Sequence, residues 1–305
     1  MCNKIEFFDI CGVVPKGIES CYYYTCRIRY SRTIEMEGKH VLKRLIICDI
    51  DNTLLPPGGV ISDVTREALA ELPPDTGFSI ATGRSFHVVR KFVEDLHLWF
   101  PVITSNGAQV YDYSSGKPVY ESCFTKRAAS FVFSTLLAMD FDFVAYGLKG
   151  VYFRRGSTHM DFFLNYNASV REEIRAPLIP FDEDHLGFVP ENLTKILVYF
   201  PTDSLRQQLA SDPELEITAS MHHVIDIMPK GATKGNAVIA LAEYLKVPLS
   251  DTYCFGDNDN DISMFTCGAV GVAMGNATEE AKRHASIITR TCKDDGVAYA
   301  IRHLL

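Results

Sequence analysis

From Leu42 onward, short runs that are apolar throughout alternate with stretches in which apolar residues recur every three or four positions. Uniformly apolar runs of strand length suit strands buried on both faces, and the amphipathic stretches suit helices that cover them, so the pattern predicts an α/β fold with a parallel sheet. Strands are predicted over 45–48, 77–80, 102–104, 252–255 and 269–273. Helices are predicted over 62–72, 85–98, 233–246 and 278–284, the second with Val88, Val89, Phe92, Val93 and Leu96 on one stripe.

The rhythm breaks between 121 and 228. There "GVYFRR", "LTKILVYF" and "HHVIDIM" read as strands around the helical "KRAASFVFSTLLAM". This predicts an α+β insertion at 121–228 within a body made of 42–120 and 229–305. Residues 1–41 show neither period and lack the basic-then-apolar layout of a secretory signal, so the expectation there is a loosely ordered extension, with Met36 as an alternative start. His222 and His223 are neighbours in a strand-like run and should point to opposite faces, which argues against joint ligation.

Length and charge narrow the function. The 305 residues accommodate two bodies at about 150 residues each. A formal net charge of -8 gives no general attraction to nucleic acid or anionic membrane, so a small-molecule partner is expected. Nine cysteines without paired short spacings fit reduced thiols in a cytoplasmic protein rather than a zinc site. No apolar run reaches the roughly 18 residues of a membrane helix. Oligomeric state has no signature in the sequence.

Four polar clusters fall at expected strand ends or helix starts, where open parallel sheets bind ligands. They are Asp49 with Asp51, "ATGRS" at 81–85, Lys234, and "GDNDND" at 256–261. Two carboxylates two residues apart would share a face if the strand continued that far, and a divalent cation would neutralise them. Magnesium suits them, because it takes hard oxygen ligands and keeps waters that a phosphate can replace. The alternative is one aspartate capping a turn and the other solvated.

"GDNDND" imitates the start of a calcium loop, but Ile262 stands where glycine is required and Gly268 where a bidentate glutamate should be. Asp257 is best placed to ligate metal, with Asn260 and Asp261 one turn on; a purely structural acidic turn is the alternative. Thr82 and Gly83 offer a hydroxyl and a backbone N–H to an anion, or form a plain strand-to-helix turn. Lys234 heads a helix, where the dipole disfavours a cation unless an anion joins it.

Taken together these residues resemble the haloacid dehalogenase superfamily of phosphohydrolases. Asp49-Ile50-Asp51-Asn52-Thr53 looks like its DxDxT signature, Thr82 matches its second motif, Lys234 its third, and Gly256-Asp257 with Asn260-Asp261 its fourth. "SNGA" at 105–108 and "GVAMGNA" at 271–277 resemble the Cof-like sugar-phosphatase branch, in which Asn52 is commonly glycine. The resemblance implies a Rossmann-like parallel-sheet core with an inserted α+β cap. It also implies a magnesium-dependent phosphatase of small phosphate esters, sugar phosphates above all, working through an aspartyl phosphate. Asp49 would be the nucleophile and Asp51 the acid and base. Thr82, Gly83, Lys234 and Asn260 would hold the phosphate. Asp49, Asp51 through its backbone carbonyl, and Asp257 would hold the metal, with Asp261 in support. The rival readings are a phosphomutase or phosphotransferase, which passes the same phosphate to a second hydroxyl, and a non-catalytic sensor of a phosphorylated ligand.

Overall fold

The computed structural model describes residues 41–181, 189–221 and 223–305. The expectations for 1–41, apart from Val41, and for His222 fall outside them. The chain begins with β1 (Arg44–Asp49), α1 (Asp63–Ala70), β2 (Thr76–Ala81), α2 (Phe86–Asp95), β3 (Val102–Thr104), β4 (Gln109–Asp112) and β5 (Lys117–Glu121). It continues with α3 (Lys126–Ala138), β6 (Phe143–Gly147), β7 (Gly150–Arg154), α4 (Asp161–Ser169), β8 (Leu178–Phe181), β9 (Lys195–Tyr199), α5 (Asp203–Ala210), β10 (Leu215–Met221) and β11 (Val224–Pro229). It ends with α6 (Lys234–Leu245), β12 (Thr252–Gly256), α7 (Ile262–Thr266), β13 (Val270–Ala273), α8 (Glu279–His284), β14 (Ile287–Ile288) and α9 (Gly296–His303).

Among the described residues the strands form two sheets. The first runs β14-β13-β12-β1-β2-β3-β4-β5. Its pairs from β14 to β3 are parallel, as the continuous apolar runs predict, and β1 and β2 are buried along almost their whole length. The β3–β4 and β4–β5 pairs are antiparallel, an edge hairpin that periodicity does not reveal. Ser62, Ser85, Thr233 and Thr278 each cap the helix that follows, which places the starts of α1, α2, α6 and α8 where the sequence suggests.

The second sheet runs β10-β11-β9-β6-β7-β8 and is antiparallel except for β7–β8. One face carries Phe143, Ala145, Ile196, Val198, Ile225 and Ile227, packed with Val132, Phe133 and Leu136 of α3 and Leu205 and Leu209 of α5. On the other face Val144, Tyr146, Leu197 and Val224 cluster with Phe163 of α4 and Val88 of α2. Val89 and Val93 join the core of the first sheet, so α2 serves both cores. Its buried stripe is wide because it has two partners.

His87, at the start of α2, makes a polar contact in this seam, with Nε2 3.2 Å from the carbonyl oxygen of Gly147 at the end of β6. Burial, opposed by the Gly147 and Leu148 carbonyls, pulls the imidazole from an ordinary 6.5 down to about 4. An unfolded chain therefore binds a proton that the folded one refuses between these values. Stability is fully present above pH 6.5 and falls as pH drops toward 4. We expect a loss on the order of 2 kcal/mol from this site between pH 7.5 and 5. Thermal melts of the protein and of His87→Gln at both pH values check this: the variant should lose less, and equal losses would remove His87 as the cause.

Candidate active site

β1 and β12 lie side by side and parallel, pairing Cys48 with Phe255, so Asp49 and Asp257 emerge next to each other at the carboxyl edge of the sheet. The chain after Asp257 turns tightly through 259–261. There the Asp261 carboxylate swings back, and its Oδ2 accepts the N–H groups of Asp257 at 2.9 Å and Asn258 at 3.0 Å. Gly256 is required, since a Cβ there would lie 2.4 Å from Asp261 Cβ. Across the gap, Lys234 at the first turn of α6 donates from Nζ to Asp49 Oδ1 and Asp261 Oδ1, both at 2.6 Å.

All four of these side chains are buried. Burial is the largest force on Asp49 and raises its carboxyl well above the ordinary value; Lys234 opposes it, while Asp261 and Asp257 add to it. Burial and Asp261 also push Asp257 up to about 6, against a 2.9 Å hydrogen bond from Thr53 Oγ1 and the Lys234 charge. For Lys234, burial pulls the ammonium down, but the Asp261 and Asp49 carboxylates outweigh it and leave it raised. One lysine thus faces three carboxylates, an uncompensated excess of negative charge in a buried place.

The donor chemistry fits a hard divalent cation. Single oxygens of Asp49, Asp257 and Asp261 lie within 4.8 Å of one another. Among the described residues Asp261 spends both oxygens on the bonds above, whereas Asp49 and Asp257 each spend one, on Lys234 and Thr53. Asp49 and Asp257 therefore each keep an oxygen with which they could hold a divalent cation, with Asp261 holding the loop behind them.

Asp51 stands apart. β1 ends at Asp49, so the continued strand that would set both side chains on one face is not formed. The chain turns instead, with Asn52 at φ 63 and its N–H donating to Leu55 O. This left-handed position explains the asparagine, which tolerates it better than other side chains with a Cβ. The exposed Asp51 carboxylate is gripped by Arg84, Nε to Oδ2 at 2.9 Å and Nη2 to Oδ1 at 2.5 Å. The Arg84 guanidinium lies 5.2 Å from the ring centres of Phe92 in α2 and Phe162 in α4.

Thr82 and Gly83 leave the end of β2. Thr82 Oγ1 accepts the Arg84 N–H at 3.2 Å, which leaves the hydroxyl proton to donate elsewhere. Asn260 donates to Asn106 Oδ1 at 3.2 Å. Asn106 belongs to the "SNG" turn, where Gly107 at φ +93 lets the Thr233 carbonyl approach; a Cβ there would meet Thr233 O at 2.1 Å. In the "GNA" segment Asn276 ties the Asn52 turn to Cys292, and the Thr278 N–H caps Asp257 O. The structure thus gathers Asp49, Lys234, Asp257 and Asp261 directly and brings Asn260 against Asn106. Three further residues were not singled out from the sequence: Arg84, Lys195 and Asp226. Lys195 of β9 reaches Gly83 O at 3.0 Å, and Asp226 of β11 accepts from Asn106 at 2.7 Å.

Residues 46–301 match the family model of haloacid dehalogenase-like hydrolases. The chain belongs to that family. Among curated relatives of this hydrolase, the 5-amino-6-(5-phospho-D-ribitylamino)uracil phosphatase YcsE of Bacillus subtilis is 31% identical over 271 residues, covering 85% of this chain and 95% of its own. YwtE, named for the same activity in the same organism, is 28% identical over 284 residues, covering 86% and 98%. A haloacid dehalogenase-like hydrolase from B. subtilis superposes with a TM-score of 0.72 at 26% identity, over 86% of this chain and 100% of that one. A subclass IIB sugar phosphatase of the same superfamily gives 0.73 at 23% identity, which speaks to fold. With this carboxylate–lysine centre and phosphatases as its relatives, the haloacid dehalogenase-like chain is a phosphomonoesterase.

The charge balance yields a test. Lys234→Met leaves Asp49 and Asp261 buried without their cation and should lower unfolding stability by about 3 kcal/mol or more in chelator. A divalent cation should recover part of that loss. Urea unfolding with and without metal measures both, and an unchanged midpoint would contradict the neutralising role of Lys234.

Proposed function

We propose that the protein is a magnesium-dependent phosphatase of small phosphorylated metabolites, sugar phosphates foremost, acting in the cytoplasm through an aspartyl phosphate. The observation that carries this reading is the buried Asp49 carboxylate, fixed by Lys234 at the edge of the sheet beside Asp257. Asp49 attacks phosphorus, and the ester P–O bond breaks as the leaving oxygen takes a proton from Asp51. Asp51 then takes a proton from the water that attacks the same phosphorus, which returns Asp49 and frees inorganic phosphate. Lys234, Thr82, Gly83 and Asn260 hold the phosphoryl oxygens as charge develops on them. Asp49, the Asp51 backbone carbonyl and Asp257, with Asp261 in support, would hold magnesium, which would supply positive charge against the phosphate anion.

In this reading the Arg84 grip on Asp51 is one that the substrate loosens. An arriving phosphate anion competes for the guanidinium and frees the carboxylate for the leaving oxygen. In this reading 42–120 and 229–305 form the core, and 121–228 form a cap that selects the substrate. The net charge of -8 supports a small ester rather than nucleic acid. Three relatives named as phosphatases of 5-amino-6-(5-phospho-D-ribitylamino)uracil support a phosphate on a polyhydroxylated carbon chain.

Phosphate release from a panel of sugar phosphates, that ribityl compound, nucleotides and an aryl phosphate, with and without magnesium, tests the proposal. Release should require magnesium and fall to background in Asp49→Asn. Conversion of one sugar phosphate to its isomer without release would replace hydrolysis by the mutase reading. Binding of phosphate ligands with no turnover would replace it by the sensor reading.

A further inference from the structure

Lys195 and Asp226 are fully buried charges, yet neither belongs to the carboxylate–lysine centre. They lie on neighbouring antiparallel strands of the second sheet, and Nζ meets Asp226 Oδ2 at 2.5 Å. Their sheet face otherwise carries apolar Val144, Leu197 and Val224 with the ring of Tyr146. Packing alone does not call for a charge there, and a buried ion pair contributes little net stability compared with apolar residues of the same volume. The pair is aimed at the loops of the first sheet.

Two chains of hydrogen bonds leave it. In one, Lys195 Nζ donates to Gly83 O at 3.0 Å and so fixes the Gly83–Arg84 peptide plane. The N–H of that same peptide donates to Thr82 Oγ1, so the hydroxyl must send its own proton away from Arg84. In the other, Asp226 Oδ2 accepts from Asn106 Nδ2 at 2.7 Å. A carboxylate acceptor sets the orientation of that amide, and Asn106 Oδ1 then takes one Asn260 Nδ2 proton at 3.2 Å, leaving the other to donate. Both chains end on groups that the proposed mechanism uses to hold phosphate.

We propose that Lys195, with Asp226, is a positioning residue for phosphoryl transfer: from the second sheet it sets the direction in which Thr82 and Asn260 present their donors. The inference rests on the phosphatase reading and adds a device to it. Lys195 handles the phosphoryl group through these donors and is indifferent to the rest of the substrate. Phosphoryl transfer depends on donors aimed at the developing charge, so a small misalignment lowers kcat more than it raises KM.

The experiment compares Lys195→Met, Asp226→Asn and the double variant Lys195→Met/Asp226→Asn with the parent. It measures melting temperature, kcat and KM on an aryl phosphate and on a sugar phosphate, and binding of inorganic phosphate with magnesium by calorimetry. Each single variant strands a buried charge or weakens its partner, so both should lose melting temperature. The double variant has no unpaired charge and keeps an oxygen for Asn106, so its melting temperature should recover. Its kcat should stay on the order of tenfold or more below the parent, by the same factor on both substrates. Recovery of kcat together with melting temperature would reduce the pair to a structural role and overturn the proposal. A loss confined to the sugar phosphate would also overturn it, because Lys195 would then read the leaving group. If the parent releases no phosphate from any ester, the phosphatase reading fails by itself. Weaker phosphate binding in the double variant would still support Lys195 as an aligner of these donors, while equal binding, or none in the parent, would overturn it.

Discussion

Three carboxylates and one ammonium share a buried space, and the remainder of the site follows from keeping that arrangement neutral enough to fold. Lys234 alone cannot do so, since Asp49 and Asp257 still sit well above the usual carboxylate range. Its position at the first turn of α6 would ordinarily be unfavourable for a cation. The two carboxylates at 2.6 Å reverse that preference. Thr233 caps the start of α6, while Gly107 lets the Thr233 carbonyl, and Gly256 the Asp261 side chain, come close enough to bring the loops together. Among the described residues two of the acids keep an oxygen uncommitted, so the cluster could hold a divalent cation.

The parallel strands were legible because burial on both faces leaves uninterrupted apolar runs, as in "LIIC" and "YCF". The edge hairpin β4–β5 was not, because a strand with exposed and half-buried positions such as Lys117 and Pro118 shows no such run. Asp49, Lys234, Asp257 and Asp261 could be found because each sits at a strand end or helix start, and topology brings such ends to one edge. The orientation of Asp51 was hidden. It depends on where β1 stops and on a left-handed Asn52, a matter of one or two residues that periodicity does not resolve.

Lys195 and Asp226 were hidden for a different reason. Their bonds span 112 and 120 residues of sequence, and a lysine or aspartate within a strand pattern reads as a solvent-facing position. The one available signal was that Lys195 opens a run whose neighbours Ile196, Leu197 and Val198 are all apolar. A strand buried on both faces has no solvent side for a charge. A charged residue in such a run is a sign of a partner elsewhere in the fold.

The seam between the two sheets is held by unlike forces, and the difference matters for an enzyme whose substrate must enter. α2 lends Val88 to one core and Val89 with Val93 to the other, which gives the seam an apolar spine. Around that spine the contacts are polar: His87 with Gly147, Thr194 with Ser105, Lys195 with Gly83, and Asn106 with Asp226. Polar groups regain water when such contacts part, so separating them costs less than exposing an equal apolar area. Separation would hydrate Lys195 and Asp226 and return much of their desolvation penalty. On the proposal made for Lys195, a charged pair at this place would direct the loops that carry Thr82 and Asn260 without locking the two sheets together, as an apolar pair of the same size would.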